Sequence, residues 1–167
     1  MTDIRTARLQ LHAVDVAEAE RIVARRAGPV DTWADDFPFD GDVGALGRFL
    51  HASATEGEQR PFGYCRISRA IDGRAIGGLG FTGPPVSGVV EIGYGLAPSG
   101  RGRGYAAEAV GALLTVAADL GVVRVIADTT RDNIASQRTL LRAGFHLTNS
   151  NAEFRYYEVL LNDGTTA

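Results

Sequence analysis

EIGYGLAPSGRGRGYAAEAV, residues Glu91 to Val110, contains a strand, a loop and a helix start in twenty residues. Alternation over Glu91 to Leu96 puts Glu91, Gly93 and Gly95 on one face and Ile92, Tyr94 and Leu96 on the other, the signature of a strand. After Ala97-Pro98 the glycines Gly100, Gly102 and Gly104 alternate with Arg101 and Arg103, and Tyr105-Ala106-Ala107-Glu108-Ala109-Val110 begins a helix. Glycines let the backbone approach a ligand closely, and a helix start offers unpaired N–H groups at the positive end of a dipole. The arrangement is a cradle for a pyrophosphate. Arg101 and Arg103 supply local positive charge that a chain of net charge −3 otherwise lacks.

Working outward, the pattern on the C-terminal side alternates: a helix over about 105–120 stopped by Gly121, a strand over 122–129, a helix over about 134–143 stopped by Gly144, and closing strands at 145–148 and 154–161. The N-terminal side has a different grammar. Arg8 to Val14 reads as a strand, and Asp15 with Glu18 as a capping box opening a helix that Gly28-Pro29 ends. A second helix is expected from Asp42 to Leu50, with residues 31–42 as a loop. Strands follow at 62–70 and 75–81, joined by the turn Ile71-Asp72-Gly73-Arg74, and TGPPVSG at 82–88 breaks the chain before the strand at 89–96. Antiparallel strands followed by a βαβα unit predict an α+β fold of three layers, α/β/α, in which helices flank a mixed, mostly antiparallel sheet. One domain over residues 1–167 is expected, with a frayed tail from Asn162 to Ala167.

Composition removes several chemistries. All 17 basic residues are Arg, so no lysine phosphate loop or Schiff base exists here. The single Cys65 excludes internal disulfides and cysteine-rich zinc sites, and no metal site is expected. No apolar run of about 18 residues and no leader pattern is present. The expectation is a cytoplasmic protein with neither a membrane nor a nucleic-acid partner.

Two ligand readings compete for the cradle. GRGYAA satisfies the GxGxxA fingerprint of dinucleotide folds, with Asp128 as the ribose-binding acid. Against this, Ala97 to Arg101 intervene between strand and first glycine, and too few βα units follow for a doubly wound sheet. The other reading is a resemblance. Arg101 to Ala106, RGRGYA, fits the Q/R-x-x-G-x-G/A signature of the GNAT superfamily of N-acetyltransferases, and Asn133 to Phe145 and the opening Thr6 to Ile22 are similar to its Rim-type branch, which includes ribosomal-protein N-terminal acetyltransferases. The resemblance implies acetyl-CoA as acetyl donor, with Tyr94, Leu96, Arg101, Gly102, Arg103, Gly104, Tyr105, Ala106 and Asn133 around it. It also implies direct attack by an acceptor amine, either a peptide N-terminus or a small molecule. A homodimer is left open. So is a non-catalytic acyl-CoA-binding module.

Attack needs a neutral amine. At pH 7 roughly one α-amine in ten is neutral, against about one lysine in two thousand. A carboxylate acting through water could take the proton. Glu91, on the glycine-bare face of its strand, is the first candidate base, and Asp128 on the next strand is its rival. The resemblance puts Asn133 on the pantetheine amides and Ser136 beside the thiol as proton donor. Many relatives have a tyrosine seven residues after this asparagine, where this chain has Leu140, and a serine near a helix start also serves as a cap. The backbone from Gly93 to Leu96 would polarise the carbonyl if this strand bulges away from the next, as in the family.

Asp31, Asp35, Asp36, Asp40 and Asp42 stand among Trp33, Phe37 and Phe39, and read either as an acidic wall favouring a cationic acceptor or as a solvated loop pinned by aromatics. His12, His51 and His146 are scattered and receive no role. Cys65 reads as a small buried residue, and Tyr156 and Tyr157 as packing.

Overall fold

The computed structural model describes residues 3–161, so the expected frayed tail lies outside the described residues. Chain order is β1 (Ile4–Arg5), β2 (Leu9–Ala13), α1 (Val16–Val23), α2 (Asp40–Glu56), β3 (Tyr64–Arg69), β4 (Ala75–Phe81), β5 (Val89–Leu96), α3 (Tyr105–Asp119), β6 (Arg124–Thr130), α4 (Ile134–Arg142), β7 (His146–Ser150) and β8 (Phe154–Leu160). These strands form one sheet in the order β1-β2-β3-β4-β5-β6-β8-β7. Only β5 and β6 run parallel. Helices cover both faces: Gly95 is turned to Phe39 at the start of α2, whereas its neighbour Tyr94 reaches Ser136 on α4, and successive strand residues point to opposite sides. The expected α+β architecture of three layers is the one observed.

Sequence and structure part at element ends. Helix α1 stops at Val23, before Gly28-Pro29, because Arg25 takes a left-handed conformation (φ 54°) and turns the chain early. Asp15 caps its start, accepting from the Glu18 N–H at 2.7 Å. Helix α2 starts at Asp40 and runs to Glu56, six residues past the expected Leu50. The early start follows from Asp42, whose carboxylate accepts from the Phe39 N–H at 3.2 Å, and Gly57, at φ 90°, ends the helix. The short strand β1 was not expected; it pairs Ile4 with Leu11. Strand β7 extends to Ser150, two residues further than expected.

The core runs along the sheet through Leu9, Leu11, Ile67, Ile76, Leu79, Val90, Ile92 and Val125, and α1, α2 and α3 add Ile22, Leu46, Val110 and Leu113. Burial at about 25 cal/mol per Å² of apolar surface fixes the strand faces, so β4 cannot slip by one residue without driving Leu79 into the face where Tyr64 lies over Gly78. That register positions the site. It sets Gly78 opposite Gly95 and Gly80 opposite Gly93.

Candidate active site

Strands β5 and β6 pair from Val89↔Arg124 to Glu91↔Ile126 and no further, although β5 continues to Leu96 and β6 to Thr130. The expected departure of β5 from its neighbour is thus present, and it takes the form of a ladder that ends, with no bulge within β5. Parallel strands that separate leave the main-chain groups of alternate residues, Ile92 and Tyr94, facing a gap, while Gly93 and Gly95 stay paired with β4. That gap opens into a cleft of about 990 Å³.

One end of the cleft is the glycine loop. Gly102 (φ 75°) and Gly104 (φ 77°) both hold left-handed backbone, which a side chain disfavours by roughly 1–2 kcal/mol. Both line the cleft, as do Arg101, Tyr105 and Ala106. Gly104 is the residue preceding α3, so the first N–H groups of a 15-residue helix point to where a ligand would lie. The loop is braced from behind by a residue the sequence reading did not weigh, Arg8. Its guanidinium donates to the Arg103 carbonyl at 2.9 Å and to Glu108 at 2.7 Å, and it covers the Tyr105 ring at 4.8 Å. Thr6 adds a 2.6 Å bond to the same Glu108.

The two loop arginines differ. Arg101 faces the cleft, and its Nε donates to the Leu96 carbonyl at 2.8 Å, bracing the loop onto the end of β5. Arg103 does not line the cleft, so the expectation that both arginines face the ligand needs correcting: the left-handed glycines on either side turn the chain, the Arg103 side chain is exposed, and its carbonyl accepts from Arg8. The cations added instead come from α4, where Arg138 and Arg142 share a helical face with Ala135 and Thr139 on the cleft wall. Spacing of three and four residues was the available signal.

Asn133, Ser136 and Tyr94 meet at the middle. The Asn133 side chain caps α4, accepting from the Ser136 N–H at 3.1 Å, so the cap is the asparagine and not the serine. The Ser136 hydroxyl is therefore free of that duty and lies 2.8 Å from the Tyr94 hydroxyl, which also donates to the Ser136 carbonyl at 3.1 Å. Burial pushes the Tyr94 phenol up to about 12, partly offset by the Ser136 bond, so it stays protonated at neutral pH.

Glu91 and Asp128 do not line the main cleft. Glu91 lies in an adjoining hollow of about 300 Å³ that shares Thr82 and Gly83 with it, and Asp128 lines neither space. The sequence treats these carboxylates as rivals, whereas the structure makes them a pair, because the ladder ends at Glu91↔Ile126 and Asp128 is two residues on, on the same face as Ile126. Burial raises the Glu91 carboxyl above its ordinary value; the Thr82 hydroxyl, donating at 3.2 Å, opposes this, and the adjacent Asp128, within hydrogen-bonding reach, raises it further.

The opposite wall holds a second pair. Asp42, 1% exposed, accepts from the Tyr64 hydroxyl at 2.9 Å, and both residues line the cleft. Burial pushes the Asp42 carboxyl up to about 6, and the Tyr64 phenol is raised well above its usual range, first by burial and then by Asp42. The other four loop aspartates are engaged away from the cleft: Asp31 with Arg21, Asp35 with Arg74, Asp36 with Ser99 and Asp40 with Arg25. The acidic loop is therefore no cationic-acceptor wall. Trp33 and Phe37 pin it, edge to face at 5.3 Å. Cys65 is buried, and burial pushes its thiol up to about 12, leaving it a packing residue.

The family profile described as Acetyltransferase (GNAT) domain matches residues 8–146. A curated relative, the uncharacterized N-acetyltransferase YjdG of Bacillus subtilis (strain 168), is 38% identical over 84 residues, which is 49% of this chain and 50% of that protein. The chain thus spans about half the length of that relative. Among solved structures, an acetyltransferase from Agrobacterium tumefaciens str. C58 is 25% identical with a TM-score of 0.66, covering 95% of this chain and 94% of that one. RimL, a ribosomal-protein alpha-N-acetyltransferase in complex with coenzyme A, superposes with a TM-score of 0.70 at 20% identity, over 96% of this chain and 99% of its own.

Proposed function

This chain belongs to the GNAT acetyltransferase family, and we propose that it transfers an acetyl group from acetyl-CoA to a primary amine. The observation that carries the reading is the parting of β5 and β6 beyond Glu91 beside a glycine loop at a helix start. A pyrophosphate suits the loop, since a Cβ at Gly102 or Gly104 would face strained left-handed backbone where the ligand must approach. Acetyl-CoA would supply the acetyl group as a thioester; the C–S bond breaks, a C–N bond forms, and in net one proton leaves the amine as one joins the thiolate.

The chain's own groups divide that work. Glu91, with Asp128 beside it, takes the proton from the amine through water in the adjoining hollow, a contribution of about 10²–10⁴-fold. Ser136, oriented by Tyr94, hands a proton to the leaving sulfur and regains one from water as Glu91 releases the amine's proton to solvent, in place of the tyrosine that Leu140 does not provide. Main-chain N–H groups on the free edge of β5 polarise the carbonyl. The NH₂ group of Asn133, whose oxygen is committed to the helix cap, is the atom available for a pantetheine carbonyl. Arg101, Arg138 and Arg142 offset the phosphates.

No helix of the described residues is long and apolar enough to cross a membrane. We place the protein in the cytoplasm, acting as one domain without a nucleic-acid partner. Incubation with acetyl-CoA and a panel of amines, with free thiol followed by a chromogenic reagent, tests the activity. Thiol release that requires the amine is expected. Coenzyme A binding without any release would mark a binding module.

A further inference from the structure

One peptide of the cradle loop decides which way a donor points. Among the described residues, the N–H groups of Gly102, Arg103 and Gly104 have no acceptor, so they are the loop's free donors. Of the main-chain atoms of residues 101–104, the Arg103 carbonyl alone bonds to a described residue beyond the loop, the turn at Pro98–Gly100 and α3. Its donor is Nη1 of Arg8, at 2.9 Å. The Arg103–Gly104 peptide is trans, so its carbonyl and its N–H point opposite ways. Gly104 lines the cleft and Arg8 does not. A carbonyl drawn back to Arg8 thus turns the Gly104 N–H forward, into the cleft.

Glycine makes this peptide easy to flip. The rotation takes place about ψ of Arg103 and φ of Gly104, and a glycine, held here at φ 77°, adopts either sign of φ at little steric cost. Flipped, the loop would present a carbonyl oxygen to the cleft, where it repels a diphosphate. Arg8 opposes the flip because the fold fixes it from the other side. Leu9, next in the chain, is 1% exposed, and the Arg8 carbonyl accepts from the Ala70 N–H at 2.8 Å. The Arg8 Nε and Nη2 donate to one Glu108 oxygen at 2.7 and 2.6 Å, while the Thr6 hydroxyl and the Arg8 N–H take the other at 2.6 and 2.9 Å. An isolated exposed ion pair is worth little. Four donors on one carboxylate in the first turn of α3, with the Tyr105 ring beneath, hold the guanidinium where the Arg103 carbonyl meets it.

We infer that Arg8 is a positioning residue for coenzyme A: it latches the Arg103–Gly104 peptide with the carbonyl turned to β2 and the N–H turned to the diphosphate. The turn before β2 thereby sets the affinity of a loop 95 positions away. Without the latch the loop divides its time between two orientations of this peptide, and the apparent affinity falls by the fraction that remains competent. The inference rests on the reading of the loop as a coenzyme A cradle, and adds to it a residue that never touches the ligand.

Two measurements test the latch. In the first, coenzyme A is titrated calorimetrically, and pantetheine by amide shifts, into the natural chain and into Arg8→Gln. Coenzyme A should bind the variant at least about tenfold more weakly, whereas pantetheine, which lacks the diphosphate, should bind both chains within about twofold. In turnover the KM for acetyl-CoA should rise while kcat holds. Equal coenzyme A affinity in the two chains overturns the inference and leaves acetyl transfer intact, and so does an equal loss for pantetheine, which would mark a general structural defect. A tenfold loss confined to coenzyme A, in a protein that turns over no amine, upholds the latch and removes the transferase reading alone. The second measurement needs only the natural chain. In ¹H–¹⁵N spectra the Gly104 amide proton should move downfield when inorganic pyrophosphate or coenzyme A is added. A Gly104 amide that stays in place at saturation overturns the latch, even if Arg8→Gln fails to fold.

Discussion

Replacing Asp42 by Asn should change the way stability depends on pH, by an amount that follows from its surroundings. Burial holds the carboxyl at about 6, against an ordinary 3.8, even though the Tyr64 hydroxyl, the Phe39 N–H and the charge of Arg25 all favour ionisation. Between those two values the folded chain keeps the Asp42 proton and the unfolded chain has lost it. The stabilisation is therefore fully present below about 3.8 and is lost as pH rises through about 6. At about 1.4 kcal/mol per tenfold, the difference amounts to about 3 kcal/mol. Asparagine cannot ionise. It can still accept from Tyr64, but its NH₂ would face the Phe39 N–H, and the lost bond costs about 1 kcal/mol at every pH. Urea denaturation followed by the fluorescence of Trp33 from pH 4 to pH 8 should find the Asn variant about 1 kcal/mol less stable at the acid end and about 2 kcal/mol more stable at the alkaline end. The other carboxylates cancel in that difference. A difference that stays flat with pH, or that slopes the other way, would refute the reasoning about Asp42.

Glu91→Gln should leave coenzyme A affinity within about twofold and lower kcat by about 10²–10⁴-fold, measured by thiol release beside a calorimetric titration. Asp128→Asn removes the neighbour that raises Glu91, so the acid limb of kcat/KM should move to lower pH; a limb that stays or moves up would dissociate the two carboxylates. Gly104→Val forces a β-branched residue into left-handed backbone at φ 77° in the cradle, and coenzyme A should bind at least tenfold more weakly while the circular dichroism spectrum is kept. Tyr94→Phe, which removes the bonds that orient Ser136, should lower kcat with little effect on coenzyme A affinity, and an unchanged kcat would take Ser136 out of the leaving-group step.

Much of this was legible in the chain because glycine spacing and strand alternation are local signals. The loop from Gly100 to Gly104, the faces of β5 and the stops at Gly121 and Gly144 each follow from a few adjacent residues, and the structure has them as read. What failed needed contacts far apart in sequence. Helix α2 starts two residues early because Asp42 bonds the Phe39 N–H, and Asp42 becomes a wall of the cleft only because β3 brings Tyr64 beneath it, 22 positions later. Arg8 braces a loop 95 positions away. Counting aspartates in residues 31–42 left an acidic wall and a loop pinned by aromatics as equal alternatives for the same reason: four of the five are turned to partners elsewhere, as in the Asp36 bond to Ser99 across 63 residues. Glu91 and Asp128 read as alternatives when each strand is taken alone. Register makes them neighbours.

The glycines that β4 and β5 set opposite one another, Gly78 with Gly95 and Gly80 with Gly93, link these levels. Each glycine in a strand is unfavourable by roughly 0.5–1 kcal/mol relative to alanine, so four in two paired strands are a burden that packing elsewhere must offset. At three of the four positions the reason is visible in the fold: Tyr64 lies over Gly78, Phe39 over Gly95, and the main chain of β3 crowds Gly80. Those rings are themselves the ones that shape the cleft, since Phe39 carries Arg101 at 5.8 Å and Tyr64 carries Asp42. Gly93 has no such explanation. Its open space within the cleft, next to Tyr94 and two residues beyond Glu91, where the β5–β6 ladder ends, is room that the folded chain does not fill, and a reacting amine and carbonyl need room at that point.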